Sequence, residues 1–422
     1  MFTLKQTAIA WAAIALATAS AAAGDDVSEL LSGAKRTRSV QYSSTGRRIS
    51  VWRNVSSQEP GSSDQENPFD APDYADSSEG RPNEPLQQSS PTQDFCNTCG
   101  DCTCDGCGTC DACCGCSFCP RSYIFGEYLY LQPVGADMAH AIQQNGVGGP
   151  GTTPDGRVGV LNPQFAPAYR VGFGKAIGGC ATIGAAYTNF HSHTTDTLSA
   201  PNDPFTEVGG TVSSLVLHPN SVNAGSTSSL VDATYDIDFQ LADIEYRRLV
   251  AANCTGAGYF TAGARYAKLQ QQFSQIGNFS PPTGTIETTT NIIFEGAGFR
   301  TGLDGERRIG GSRFSAYGKG FLSLMFGEFK SDYRQLNTTT TIVQAASNWQ
   351  DNRVVPILEY EVGFHWTSFS GRWQATAGYY SAFWFNTIST GDFVRAVQTS
   401  DFLNLGQTIA FNGLVTRLEF RF

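Results

Sequence analysis

The chain has 422 residues, 41% hydrophobic, 12% aromatic and only 16% charged, with 45 Gly, 18 Pro and 12 Cys. A soluble domain carries about a quarter charged residues, so this composition speaks against an ordinary cytosolic enzyme. The 38 acidic and 28 basic residues leave a net charge of −10, which offers no positive field to a nucleic-acid backbone, and nucleic acid is not an expected partner.

At the N-terminus Lys5 precedes an apolar run from Ala8 to Ala17, and Ala21-Ala22-Ala23 stand before Gly24. The pattern predicts a signal peptide over residues 1–23, cleaved after Ala23. That run is half of the roughly 20 apolar residues a spanning helix needs, and no later segment is long and apolar enough to be one. If the chain enters a membrane, a closed β-barrel is the architecture left to satisfy its backbone there. Residues 24–94 are rich in Ser, Gln, Asp, Glu, Pro and Arg and read as a disordered polar tether.

Residues 95–121 hold Cys96, Cys99, Cys102, Cys104, Cys107, Cys110, Cys113, Cys114, Cys116 and Cys119. Several of these pairs have the two-residue gap of zinc or iron–sulfur sites. An exported segment meets an oxidising compartment, however, where cysteines this dense, without histidine ligands, more often form disulfides. Bridges within the chain, to a second copy or to another envelope component are all open, and no metal or organic cofactor is assigned. Cys180 and Cys254 are a further candidate pair, at the same rim of neighbouring strands.

Past Arg121 aromatic and β-branched residues alternate with small or polar ones. Ten strands are predicted: Tyr123 to Gln132, Phe165 to Gly174, Cys180 to Phe190, Ala233 to Arg248, Gly258 to Gln272, Asn291 to Thr301, Phe314 to Phe329, Val354 to Trp366, Arg372 to Phe385 and Thr408 to Phe422. The connections alternate between long (roughly 32, 42, 18, 24 and 22 residues) and short (about 5, 9, 12 and 5). This is the asymmetry of outer-membrane barrels, with short periplasmic turns, longer extracellular loops and an even strand number. The expected fold is therefore all-β, a closed antiparallel transmembrane barrel of about ten strands, between eight and twelve, over residues 122–422.

Alternation also assigns faces. In the last strand Leu414, Leu418, Phe420 and Phe422 share one side, and Arg417, Glu419 and Arg421 the other. The same phasing turns Glu127, Arg170, Asp236, Asp238, Asp243, Glu245, Arg265, Glu295, Lys319, Glu359 and Glu361 into the lumen, nine acidic and five basic residues in all. That excess predicts a weak cation preference in an open pore, and paired charges in a closed one. Asp243 and Glu245 break the parity of Asp236 and Asp238, which suggests a bulge. Tyr128, Tyr130, Trp366, Trp373, Tyr379 and Trp384 are candidates for interfacial girdles. Phe420 and Phe422 close the chain like the terminal signal read by barrel-assembly machinery. His191, His193 and Asp196 form the one catalytic candidate, but no Gly-x-Ser-x-Gly nucleophile accompanies them. His140, His218 and His365 lack a ligand set, and no enzyme activity is expected.

Several segments resemble the Legionella major outer membrane protein type of pore-forming barrel, including the cysteine-bearing versions of planctomycetes. They are Glu127-Tyr128-Leu129-Tyr130-Leu131-Gln132-Pro133, Phe294-Glu295-Gly296-Ala297-Gly298-Phe299-Arg300-Thr301-Gly302-Leu303, Val355-Pro356-Ile357-Leu358-Glu359-Tyr360-Glu361-Val362-Gly363 and Ala377-Gly378-Tyr379-Tyr380, with the closing strand. The resemblance implies a bacterial outer-membrane pore in contact with lipid, porin-like and without catalytic residues. The alternatives are a non-conducting barrel that anchors the envelope through disulfides and, less favoured, a barrel hydrolase.

Overall fold

The computed structural model describes residues 36–42, 48–54, 121–146, 153–178, 180–201, 210–221, 227–252, 255–280 and 284–422. The signal peptide, the ten clustered cysteines and Cys254 lie outside the described residues, and most of the expected tether does too. Within that tether β1 (Arg36–Tyr42) and β2 (Arg48–Asn54) pair as an antiparallel hairpin. The composition of the tether predicts no strand there.

The ten expected strands all form. They are β3 (Tyr123–Val134), β6 (Ala166–Gly178), β7 (Ala181–Ser199), β9 (Leu230–Ala252), β10 (Gly256–Phe279), β11 (Gly284–Arg308), β12 (Phe314–Asn337), β13 (Ile342–Thr367), β14 (Trp373–Thr387) and β15 (Gln407–Arg421). Each pairs antiparallel with the next in this order, and β15 closes the ring on β3. Both chain ends of the barrel and the tight connections after β6, β9, β11 and β13 share one end, here the turn end. Beyond the ring and that hairpin, four more elements among the described residues go beyond the sequence expectation. β4 (Met138–Gln144), β5 (Pro154–Leu161) and β8 (Thr211–Ser214) make a three-stranded sheet at the loop end. α1 (Thr390–Thr399) lies between β14 and β15, with Ser389 as its N-cap and Ser400 closing it in the left-handed conformation.

Strand length is the first clue to function. The 24 residues of β12 give about 80 Å of strand, and at the usual tilt of about 40° they rise about 60 Å, twice a hydrocarbon core. The expected long loops after β10 and β12 are largely strand, because Phe279 to Gly284 and Asn337 to Ile342 are tight connections.

The faces explain the extra length. Near the turn end β9 turns Ala242, Ile244, Tyr246 and Val250 outward and Asp243, Glu245 and Arg247 inward. Toward the loop end the same two sides exchange character: Gln240, Asp238, Asp236 and Asp232 face out, while Leu241, Phe239, Ile237 and Tyr235 are buried inside. Neighbouring strands change at the same height. On β10 Tyr266 gives way to Lys268 and Gln270 outside, and Arg265 to Leu269 and Phe273 inside. On β12 Leu324 and Phe326 are followed outside by Glu328, Lys330 and Asp332, while inside Lys319 is followed by Met325, Phe329 and Tyr333. The lower part is lipid-facing with a charged interior. The upper part has a water-facing exterior and an apolar core.

This corrects three assignments. Asp236, Asp238 and Glu295 do not face the lumen; they lie on the outer surface, above the apolar belt. The expected bulge is also absent, since β9 runs in unbroken register past Asp243 and Glu245 on both sides. Parity did not slip there. The medium outside changed.

On β13, Ile357–Thr367 pair with β14, but the residues from Ile342 up to Pro356 have a ladder partner only on β12. This leaves a long sheet edge at the loop end, held near its base by Asn386 donating to the Val354 carbonyl.

The inversion predicts opposite outcomes for adjacent residues. Phe239→Ala should cost about 3–5 kcal/mol, as for a fully enclosed aromatic ring, and Gln240→Ala within about 0.5 kcal/mol, read from denaturant unfolding in micelles. Equal costs would remove the inner core of β9.

Candidate functional site

The lumen is the candidate site, and its lower half is built from charges that the strand period places on one face. Arg265, on β10, is fully buried and binds Asp243 of β9 through two hydrogen bonds, Nε at 2.6 Å and Nη2 at 2.8 Å. Its Nη1 crosses the lumen to Glu359 on β13 at 2.5 Å. Arg300 of β11 donates to Glu245 at 2.7 Å and lies 3.4 Å from Glu359. Tyr380 donates to Glu359 at 2.6 Å. One carboxylate thus serves two guanidiniums and a phenol.

A second group sits nearer the seam where the barrel closes. Glu127 of β3 lies 3.0 Å from Arg170 and 3.1 Å from Arg417. Arg421 donates to Glu419 at 2.7 Å. Lys319 and Tyr317 donate to Glu361 at 3.0 and 2.7 Å. Several cations also lie over aromatic faces: Arg417 over Phe125 at 3.6 Å, Arg247 over Tyr259 at 3.6 Å and Arg300 over Phe321 at 3.8 Å. A buried ion costs several kcal/mol unless it is paired, and this network pairs its ions by sharing partners, with the Nε atoms of Arg300 and Arg417 left without a hydrogen-bond acceptor. It encloses a polar cavity of about 140 Å³.

Of the expected lumen residues, Glu127, Arg170, Arg265, Lys319, Glu359, Glu361, Arg417, Glu419 and Arg421 meet in this network, as do Asp243 and Glu245. Asp236, Asp238 and Glu295 do not, and without them the acidic excess behind the cation preference shrinks to a single charge. Glu295 instead lies 3.2 Å from Lys268 on the outer face. Four members were missed: Arg247, Arg300, Asp304 and Glu306. Arg247 is ion-paired with Asp304, and Glu306 lies 3.1 Å from His365. Had the exposed Phe299 and Leu303 been taken as lipid-facing, Arg300, Asp304 and Glu306 would have fallen inward. The inward glycines of β11 serve close packing, since a Cβ on Gly298 would strike the carbonyl oxygen of Leu324.

Above the charges the lumen is filled with hydrocarbon. Phe190 of β7, Phe239 of β9, Trp384 of β14 and Phe411 of β15 form one cluster with centroids 4.7–6.2 Å apart. Higher still, Phe393, Val394, Ala396 and Val397 of α1 are buried. Gln271 of β10 donates to the Ile388 carbonyl at 2.7 Å, and Gln398 of α1 donates to those of Leu215 and Leu217.

The histidines fall into separate surroundings. Asp196 does not join His191 or His193; it accepts from Arg157 at 2.7 Å and lies 3.1 Å from Nε2 of His140. His191 and His193 pair with Asp238 and Asp236 on the outer face. His218, in the β8–β9 connection, donates its backbone N–H to the Gln335 side-chain oxygen at 2.9 Å. Phe420 and Phe422 face outward at the turn end, Phe420 against Trp373 at 4.8 Å. Tyr128, Tyr130, Trp366, Trp373 and Tyr379 are outward as expected, but Trp384 is an inner core residue. Among the described residues no group of three or more His, Cys, Asp or Glu is placed to hold a metal.

The sequence model of the family described as Legionella pneumophila major outer membrane protein precursor matches residues 122–416. Among solved structures, the outer membrane protease OmpT from Escherichia coli aligns over 71% of this chain and 97% of its own, at 12% identity and a TM-score of 0.36. The Ralstonia pickettii toluene transporter TbuX aligns over 72% and 91%, at 9% identity and a TM-score of 0.22. A Pseudomonas aeruginosa FadL homologue aligns over 72% and 90%, at 9% identity and 0.19. Likenesses this distant carry no argument about activity or cargo. Comparison with curated proteins finds no match.

Two outcomes test this arrangement. Glu359→Gln leaves Arg265 and Arg300 short of a counter-charge and should cost about 3–5 kcal/mol, whereas Glu295→Gln should cost at most about 1 kcal/mol, both read from unfolding in micelles. At the loop end, burial holds the His140 ring below its ordinary range, and Asp196 only partly offsets this. The unfolded chain then binds the proton more readily, so stability is full above about pH 6.5 and falls as the pH drops below it. Hydrogen exchange in β4 and β5, corrected for intrinsic rate, should quicken from about pH 7.5 to about pH 5.5, and His140→Gln should flatten that dependence.

Proposed function

The chain belongs to the Legionella major outer membrane protein family, and from that premise we propose that it is an outer-membrane barrel shut to solute, anchoring a rigid cylinder that stands above the outer leaflet. Short turns face the periplasm in such barrels, which puts the loop end, with α1 and the three-stranded sheet, outside the cell. The observation that carries this reading is the aromatic layer of Phe190, Phe239, Trp384 and Phe411, each at most 2% exposed, drawn from strands on both sides of the lumen. A ten-stranded ring is narrow enough for its own side chains to fill. Hydrocarbon across the bore removes the hydration an ion needs. The anchor role extends to the periplasm, where Cys96 to Cys119 would bridge to another envelope component or a second copy. Outer-membrane lipid and the assembly machinery are the other partners, and no catalysis is assigned.

A second reading, passive diffusion of ions or small solutes, draws on the polar cavity of about 140 Å³ below that layer and requires the layer to part. Planar-bilayer recordings on the purified chain separate the two. The closed reading expects no current steps at any voltage. Reproducible steps, altered in size by Lys319→Glu, would replace it with the pore.

A further inference from the structure

The outer face of β7 and β9 carries a histidine arrangement that neither the lumen nor the anchor role uses. Register places His191 opposite Asp238 and His193 opposite Asp236. All four point away from the barrel, just beyond the level where Tyr187 and Ala242 mark the end of the apolar belt. The imidazoles are open to water, with side-chain exposures of 62% and 56%. Each uses the same nitrogen toward its neighbour: Nδ1 of His193 is 2.5 Å from Asp236 Oδ1, and Nδ1 of His191 meets Asp238 Oδ1. Among the described residues Asp236 and Asp238 form ion pairs with these two histidines alone.

A carboxylate accepting from Nδ1–H fixes the tautomer in which Nε2 keeps its lone pair. This is how metal-binding histidines are commonly oriented. Residues two apart on a strand share a face about 7 Å apart, a span that two imidazoles can close onto one ion at metal–nitrogen distances of about 2.0–2.1 Å. The two carboxylates behind them would balance the two charges of the ion. Nitrogen donors suit zinc, copper or nickel and disfavour calcium and magnesium.

We propose that His191 and His193 form an open surface site for a divalent transition metal, bound through both Nε2 atoms, with Asp238 and Asp236 as positioning residues. The remaining coordination positions go to water. The site does not depend on whether the lumen conducts, because it lies outside the barrel wall.

The test uses the full-length protein in detergent with its thiols alkylated, so that cysteines do not compete. Titration with Zn²⁺ by calorimetry should show saturable binding that His191→Ala or His193→Ala weakens at least tenfold. Asp236→Asn and Asp238→Asn should each weaken it by roughly 10–100-fold, without change in heat-modifiable migration. Excess Mg²⁺ should not displace the ion, and bound Cu²⁺ should show nitrogen ligation in its paramagnetic resonance spectrum. An unchanged isotherm in the double histidine variant, no saturable binding up to millimolar Zn²⁺, or equal displacement by Mg²⁺ would overturn the site.

Discussion

The height at which lipid gives way to water governs this molecule. A β-strand offers two faces and cannot choose between them by backbone geometry, so the surrounding medium decides which must be apolar. Within the belt the outer face is hydrocarbon and the inner face is free to carry charge. Above it the requirement reverses, and the same strands continue as a water-soluble cylinder. Along β9 the exchange falls between Leu241 and Asp243 on the inside and between Gln240 and Ala242 on the outside. Two adjacent steps of one strand record the edge of the membrane.

Each half then solves a different problem. The lower interior has to hold buried charge, and it does so with Arg265 and Arg300 sharing Glu359, and Arg170 and Arg417 sharing Glu127. Breaking one such pair strands the other ion, which ties β3, β6, β9, β10, β11, β13 and β15 into a single cross-braced ring. The upper interior is an ordinary hydrophobic core, where each enclosed aromatic contributes on the order of 1.5–3 kcal/mol by leaving water. That core gives the projecting strands a stability of their own beyond the reach of the bilayer.

Ring topology and strand identity were legible because alternation survives whichever face is hidden. The height of the inversion was not, for the same reason: a period of two is unchanged when the buried side switches. Period alone therefore turns Asp236 and Asp238 inward, with the correct repeat and the wrong face. Phe294 and Phe299 have opposite parity on β11, and only the structure shows that the first belongs to the core and the second to lipid. The elements beyond the ring left a weaker trace. α1 has ten residues and begins at Thr390-Gly391, β8 has four, and both take their stability from packing into the mouth rather than from local propensity.

The unpaired side of β13 has a further consequence. A long open margin with no charge from Ile342 to Gln350 ordinarily invites sheet-to-sheet association, and soluble proteins blunt such margins with lysine or proline. Here the bilayer supplies the protection. Molecules standing upright in one membrane are related by rotation about its normal, so two facing β13 margins lean oppositely and cross at about twice the strand tilt of roughly 40°. They cannot lie alongside each other to form a ladder. Crowded lateral neighbours stay separate through orientation alone, and the margin is left to strands that approach from outside the membrane plane.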